Sequence, residues 1–190
     1  IQETEPKISF MSTTSAEMVK LAVNCFLTTK ISYANMVGEV MTLAGLGDEI
    51  DLALQAIGAD TRVGGKYLKY GYGYGGPCLP RDNRAFAAYA EKLGLEYNLG
   101  ATTDNFNDEH AKFLVNYFVS KNVEKLPFGF QSVAYKKGTD ILTESQQYRL
   151  CKDLLDLGYK VYVVEDQIKS QVDERISFET PEEAVYWIDL

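Results

Sequence analysis

The spacing of hydrophobic positions changes once along the chain, close to Pro127. Before that point apolar residues recur every three to four positions, which is the period of an amphipathic helix. After it, short apolar runs stand on either side of a single amphipathic stretch, which is typical of a strand-helix-strand unit. The pattern therefore predicts a helical unit followed by a small α/β unit, with a boundary near residue 126.

The first helix is predicted to be long. It begins at Ser15, a residue type that favours the N-cap position, and no proline interrupts the sequence until well past Gly45. The pattern is consistent with about seven turns or more. Its apolar stripe comprises Met18, Leu21, Ala22, Cys25 and Phe26. A helix of this length with apolar residues on several faces is typical of a core or dimerisation helix.

Three further helices are predicted in the first unit. DEIDLALQAIG has Asp48 as its expected cap, RDNRAFAAYAEKLG has Pro80 near its first turn, and the last runs over about residues 103–120. A loop rich in glycine and tyrosine, residues 58–79, separates the first two of these three helices.

The second unit is predicted from shorter segments. FGFQSVAY and KVYVVE are expected to be strands, KKGTDILTES a loop and QQYRLCKDLLDLG a helix, which together would begin a parallel sheet. KISFM, at the start of the chain, is expected to be a short strand, and TPEEAVYWIDL a final helix. The fold class is thus mixed, all-α and then α/β.

Composition excludes several classes of protein. The 190 residues are 46% hydrophobic and 24% charged, and the formal charge of −8 argues against general binding to nucleic acid or to an anionic membrane. No apolar run is long enough to span a bilayer, and the first residues lack a signal-peptide pattern, so a cytoplasmic location is the default expectation. Three widely spaced cysteines favour neither a disulfide framework nor a zinc site, and no metal is expected.

The stretch GYGYGGPCLPRD, residues 71–82, has the spelling G-x-G-x-x-G of a dinucleotide-binding turn. That motif needs an apolar strand before it and a helix opening from its last glycine. Here polar and basic residues precede it and PCLP follows, which disfavours the dinucleotide interpretation. Two alternatives stay open: a loop whose backbone amides approach an anionic ligand, and a mobile turn.

Cys78 is a candidate nucleophile. It lies in this glycine loop two residues before a proline that can start a helix, and a helix N-terminus together with Arg81 would lower the pKa of its thiol. Cys25 and Cys151 lie on predicted helix faces, where a free cysteine is usually a small buried hydrophobe.

Lys20 and Asn24 form a second group of candidate functional residues, because positions i and i+4 share one helix face. They lie in the largely apolar stretch AEMVKLAVNCF, where a buried lysine is costly unless it is paired or functional. The alternative is a lysine whose ammonium group reaches solvent along its apolar stem.

Taken together, SAEMVKLAVNCFLTTKISYAN, IGADTRVGGKYLKYGYGYGGPCLPRD and AYKKGTDILTES resemble the UDP-glucose/GDP-mannose 6-dehydrogenase family. They correspond to that family's AE-x-x-K-x-x-x-N helix, GGxCxPKD nucleophile loop and FKxGTxDxRES segment. The resemblance implies a remnant of an N-terminal NAD-binding domain at 1–11, a central helical dimerisation domain at 12–126, and a partial Rossmann-like nucleotide-sugar-binding domain at 127–190. On this view the chain is a fragment that should not turn over alone.

The resemblance also implies the chemistry. The family oxidises C6 of a nucleotide sugar twice with NAD as cofactor, through a covalent intermediate that here would form on Cys78. Lys20 and Asn24 would stabilise the oxyanion, and Asp82 would orient water or shuttle a proton. Nicotinamide would lie near Cys78, Leu79, Pro80 and Arg81. Substrate contacts are expected from Arg62, Tyr67, Lys69, Tyr70, Gly71, Tyr72, Gly73, Tyr74, Gly75, Tyr135 and Lys136, with Arg62 reaching across the interface of a homodimer.

Two residues depart from the family pattern. Thr143 stands where the family has an arginine, which weakens a contact that the family makes to NAD, and Arg81 stands where it has a lysine, which keeps the charge but not the shape. Pro77 precedes the cysteine where relatives that oxidise N-acetylated sugars have histidine, which favours glucose or mannose. The alternatives are an enzyme of the 3-hydroxyacid and 6-phosphogluconate dehydrogenase group, or a dimerisation module without catalysis.

Overall fold

The computed structural model describes residues 8–136, 138–165, 167–179 and 181–190. The first part of the chain is helical, as its pattern predicts. It contains α1 (Thr13–Leu43), α2 (Ile50–Ala59), α3 (Leu79–Lys92) and α4 (Leu99–Lys121), with one 3-10 turn at Gly47–Glu49. At 31 residues, α1 agrees with the expected length of about seven turns or more.

A small parallel sheet follows. Its strands are β1 (Phe128–Phe130), β2 (Val161–Val163), β3 (Ile176–Ser177) and β4 (Tyr186–Trp187), in the order β3-β2-β1-β4. Every pairing is parallel, and the helix α5 (Gln146–Asp156) connects β1 to β2. The mixed fold class and the strand-helix-strand unit are therefore confirmed, although the strands are shorter than the apolar runs that predict them.

The final helix predicted for TPEEAVYWIDL is wrong, because this segment contributes β4. Its Thr180 lies outside the described residues. Tyr186 N–H donates to the carbonyl of Pro127 at 2.8 Å, and Ile188 N–H donates to that of Gly129 at 2.9 Å. The Trp187 ring lies directly over Gly129, where a Cβ atom would collide with it. Tertiary pairing with β1 thus overrides the local helical signal of Pro-Glu-Glu.

Helix starts also differ from expectation. Ser12, three residues before Ser15, caps α1, since its side chain accepts from the Ser15 N–H at 3.1 Å. Asp48 lies within the 3-10 turn, and α2 begins without a side-chain cap. In KISFM, Lys7 lies outside the described residues and 8–11 form no strand. Pro80 lies in the first turn of α3, as predicted.

The main apolar core joins the sheet to the second half of α4. Phe128 and Phe130 of β1, both fully buried, pack with Leu114 and Phe118 of α4 and with Leu154 of α5. A smaller core lies between α1 and α2, around Ala34, Ile50 and Leu54, with Leu68 from the loop. The division of the chain near residue 126 stays a prediction.

None of the helices in the described ranges combines the length and hydropathy needed to cross a bilayer.

Candidate functional site

A buried carboxylate lies where α1 meets the start of α3. Asp82, with a side chain only 4% exposed, accepts from the Lys20 ammonium group and, at 2.6 Å, from Asn24 Nδ2. Arg81 Nε donates to its other oxygen at 3.1 Å. The structure therefore brings together Lys20, Asn24 and Asp82 from positions about sixty residues apart. Lys20 is both solvent-exposed, at 56% of its side chain, and paired.

The neighbouring residue Asn83 fixes the two helices to each other. It is fully buried, and its Oδ1 accepts from the Thr28 hydroxyl of α1 at 2.9 Å. Its Nδ2 donates to the Gly100 carbonyl of α4 at 2.8 Å. These bonds set the helix faces on which Lys20, Asn24 and Asp82 meet, so the geometry of the site rests on buried polar contacts.

Cys78 lies at the N-cap position of α3 and is exposed to solvent. Its carbonyl accepts the first helical bond, from the N–H of Asp82, at 2.9 Å. The two residues are thus one turn apart and share one side of the helix start. The structure places a free thiol one turn before the Lys20–Asn24–Asp82 cluster.

The loop that leads to Cys78 is held by buried side chains of α1 and α4. Asn35 Oδ1 accepts from the Gly71 N–H at 3.1 Å, and His110 Nε2 lies 2.7 Å from the Gly71 carbonyl oxygen. Asn107 binds both backbone groups of Tyr74, at 2.9 Å and 3.1 Å. The loop is therefore pinned rather than mobile, which removes the flexible-turn alternative.

The loop also contacts the second unit. Gly76 has φ +80°, a conformation that favours glycine, and the Tyr135 ring occupies the space a Cβ would need. Gly75 has no room for a Cβ against the Glu144 carbonyl. Arg84 of α3 pairs with Asp104 of α4 at 2.9 Å and with Glu144 at 2.8 Å. Close packing against neighbouring residues thus explains why glycines recur in this loop. The loop lacks the preceding strand and the directly following helix that a dinucleotide turn requires.

Two adjoining cavities follow the loop. One, of about 260 Å³, is bounded by Ile31 of α1 and by the loop from Lys69 to Gly73. The other, of about 620 Å³, lies at the carboxyl ends of β1, β2 and β4. Tyr72 and Leu190 border both. Strand order reverses between β1 and β4, and such switch points are where open α/β sheets bind ligands.

The other predicted substrate residues are distributed unevenly. Tyr67 borders the smaller cavity with Lys69, Tyr70, Gly71, Tyr72 and Gly73. Tyr74 is buried, and its hydroxyl donates to Asp104 at 3.2 Å. Its side chain therefore packs in the protein interior. Lys136 is exposed beside Tyr135. Arg62 is 87% exposed and pairs with Asp60 at 2.6 Å after α2, so the described contacts within one chain do not join it to the cluster.

Burial raises the pKa values of several cysteine and tyrosine side chains. It raises the pKa of the Cys25 thiol, and it raises that of Cys151 to about 12. Burial also raises the pKa of Tyr70 to about 12 and moves those of Tyr72 and Tyr74 upward. Among the described residues no group of His, Cys, Asp or Glu is arranged to hold a metal ion.

Sequence reasoning missed the residues that hold the loop: Asn35, Glu39, Asn83, Asn107 and His110. Asn35 and Glu39 gave a weak signal as polar residues within the apolar stretch of α1, whereas Asn83, Asn107 and His110 lie among other polar residues. The partner of each lies more than fifteen residues away, which no local pattern reveals.

A comparison with protein families decides the relationship. The sequence profile of the UDP-glucose/GDP-mannose dehydrogenase family, central domain, matches residues 14–109. The chain belongs to this family. The matched range begins in α1 and ends in α4, and it includes Lys20, Asn24, Cys78 and Asp82.

Similar proteins carry UDP-glucose 6-dehydrogenase names. AglM of Haloferax volcanii is 32% identical over 82% of this chain and 36% of its own length. YwqF of Bacillus subtilis is 29% identical over 90% of this chain and 40% of its own. The structure is similar to that of a UDP-glucose dehydrogenase from Pyrobaculum islandicum, with a TM-score of 0.76 and 30% identity, over 94% of this chain and 40% of that one. This member of the dehydrogenase family therefore spans less than half the length of these relatives.

Proposed function

We propose that the protein takes part in the two-step oxidation of C6 of UDP-glucose, or of a related nucleotide hexose, to the uronate. The observation that carries the proposal is the convergence of Lys20, Asn24 and Asp82 one helical turn from the exposed thiol of Cys78. The names of the similar proteins support this substrate class.

The two cavities support a nucleotide sugar in particular. The larger one, at the strand ends, has a size suited to a nucleoside, and the smaller one borders the loop that leads to Cys78. Lys69 on the wall of the smaller cavity supplies positive charge for phosphate. A ligand that extends through both would place its sugar on the side of the nucleophile.

Cys78 provides covalent chemistry. Its thiolate adds to the C6 aldehyde carbon, so a C–S bond forms and the carbonyl electron pair moves to oxygen. Lys20 and Asn24 donate hydrogen bonds to that oxyanion. Loss of hydride from C6 then leaves a thioester. Asp82 accepts a proton from the attacking water, the C–S bond breaks, and the thiolate leaves with the uronate released.

NAD, when bound, supplies the hydride acceptor for both oxidations. The described residues fit only the nicotinamide edge of such a site, at Cys78, Leu79, Pro80 and Arg81 around the start of α3. Arg81, with 68% of its side chain exposed, is available for the negative charge of a dinucleotide. The amides of Gly71 and Tyr74 are not free to hold the pyrophosphate of a dinucleotide, because buried side chains of α1 and α4 already accept from them.

The covalent role is tested by Cys78→Ser in the protein at its natural length. Serine has a similar shape, but its hydroxyl is a far weaker nucleophile near neutral pH, so uronate formation should almost vanish. UDP-glucose affinity, measured by calorimetry, should change little because the cavity walls are untouched. Near-normal uronate production by this variant would refute the proposal.

Lys20→Ala tests the oxyanion role. Because negative charge develops on the same oxygen in both oxidations, each should slow by a factor of about a hundred to a thousand. Lys92→Ala, an exposed lysine in the last turn of α3, is the matched control and should leave both rates unchanged. Equal rates for the two alanine variants would contradict the assignment of Lys20.

A further inference from the structure

His110 is a fully buried titratable residue at the junction of three elements. Its ring belongs to α4, and Nδ1 lies 2.6 Å from Oε1 of Glu39 on α1. Nε2 lies 2.7 Å from the carbonyl oxygen of Gly71 in the loop that walls the smaller cavity. One imidazole therefore connects both long helices to the loop.

The two contacts fix the number of protons at this junction. A backbone carbonyl and an ionised carboxylate are both acceptors only, whereas a neutral imidazole has one N–H to donate. Satisfying both contacts requires a second proton, carried by the ring or by the Glu39 carboxyl. Without it, a lone pair of the fully buried ring would face an oxygen lone pair, which is costly.

We propose that His110 and Glu39 form a proton-dependent anchor that fixes Gly71, and with it the wall of the substrate cavity from Tyr70 to Gly73. This inference rests on the proposed function, since the wall matters for activity only if the cavity takes the sugar. His110 is a positioning residue: it acts through the loop and not on the reacting atoms.

The surroundings of the ring isolate this proton. Phe106 and Phe113 of α4 stack on the imidazole at 6.1 Å and 6.4 Å, and Tyr70 meets it edge-on at 6.0 Å. Tyr70 is a titratable side chain beside the pair, with Tyr117 close to it, and burial raises the pKa of Tyr70 to about 12. The extra proton of the junction therefore belongs to the pair of His110 and Glu39.

Substitution of Glu39 separates the roles of shape and charge. In Glu39→Gln the amide NH₂ can donate to Nδ1 of a neutral ring, whose Nε2–H still donates to Gly71. The anchor is then complete without the extra proton. In His110→Gln one side chain cannot reproduce both contacts, so the anchor is lost whatever the pH.

Hydrogen exchange of the amides of residues 71–74, measured without any nucleotide sugar and corrected for intrinsic rates, tests the anchor. We expect wild-type protection to fall about tenfold as rising pH removes the shared proton, as for the loss of one charge-assisted hydrogen bond. Glu39→Gln should stay protected across the same pH range, and His110→Gln should show the roughly tenfold lower protection at every pH. Glu109→Gln, an exposed neighbour on α4, is the control and should behave as wild type.

Two results would overturn the anchor: unchanged pH dependence in Glu39→Gln, or wild-type protection in His110→Gln. UDP-glucose affinity, measured by calorimetry on the same proteins, should follow the protection of the loop. If the wild-type protein does not bind UDP-glucose, the proposed function fails, whereas the exchange data still decide whether the anchor exists.

Discussion

Cys78 differs from the other two cysteines of the chain in its exposure to solvent. Cys25 and Cys151 are buried, and burial raises the pKa of both thiols. The reactive species is the thiolate, so both burial and a raised pKa slow alkylation. We expect iodoacetamide to modify Cys78 first at neutral pH, which mass spectrometry of the folded protein would show. Equal labelling of all three cysteines would contradict this expectation.

Sequence reasoning was most informative where a residue type is rare in its surroundings. Lys20 and Asn24 stood out within an apolar helix, and Cys78 within a glycine loop before proline. The structure brings Lys20 and Asn24 onto Asp82. Asn107 and His110 carried no comparable signal, because a polar residue on a helix usually faces solvent and their partners lie 33 and 39 positions away.

At the scale of elements, the glycine loop depends on the helices that pin it. Asn107→Ala leaves both backbone groups of Tyr74 without a partner in a buried site. We expect the free energy of unfolding to fall by about 1–3 kcal/mol, measured by urea denaturation. Asn105→Ala, an exposed position on the same helix, is the matched control. Equal unfolding free energies for the two variants would show that Asn107 does not hold the loop.

Elements that hydrophobic period alone specifies were predicted well, and those that need a partner were not. The helices α1, α3, α4 and α5 follow from local spacing. The strand β4 was mistaken for a helix, because two residues of strand have no period of their own and form only through pairing with β1. The strand β3 was missed for the same reason.

At the scale of the whole molecule, one face of α1 is apolar and exposed. The exposed side chains recur at intervals of three, four or seven residues, the spacing of a helix-packing seam. They are Val19, Val23, Phe26, Tyr33, Met36, Val40 and Leu43. An apolar stripe of this length marks an interaction surface, and the expected occupant is α1 of a second copy.

We therefore predict a homodimer that buries this stripe. Sedimentation at micromolar concentration should give the mass of two chains, and Phe26→Asp should shift the protein toward a monomer, because a carboxylate would be buried in the seam. Lys92→Asp, which changes charge on α3, is the control and should remain dimeric. A monomeric wild-type protein would contradict the prediction.

Trp187, which packs over Gly129, provides an intrinsic fluorescence probe of this part of the fold. The chain has a single tryptophan, so its fluorescence emission reports only whether β4 is seated on β1. Far-ultraviolet circular dichroism reports mainly on the long helices. One thermal scan would therefore follow both parts of the molecule with separate signals. Because the second half of α4 belongs to the core of the sheet, we expect the two transitions to coincide, as in a single cooperative unit.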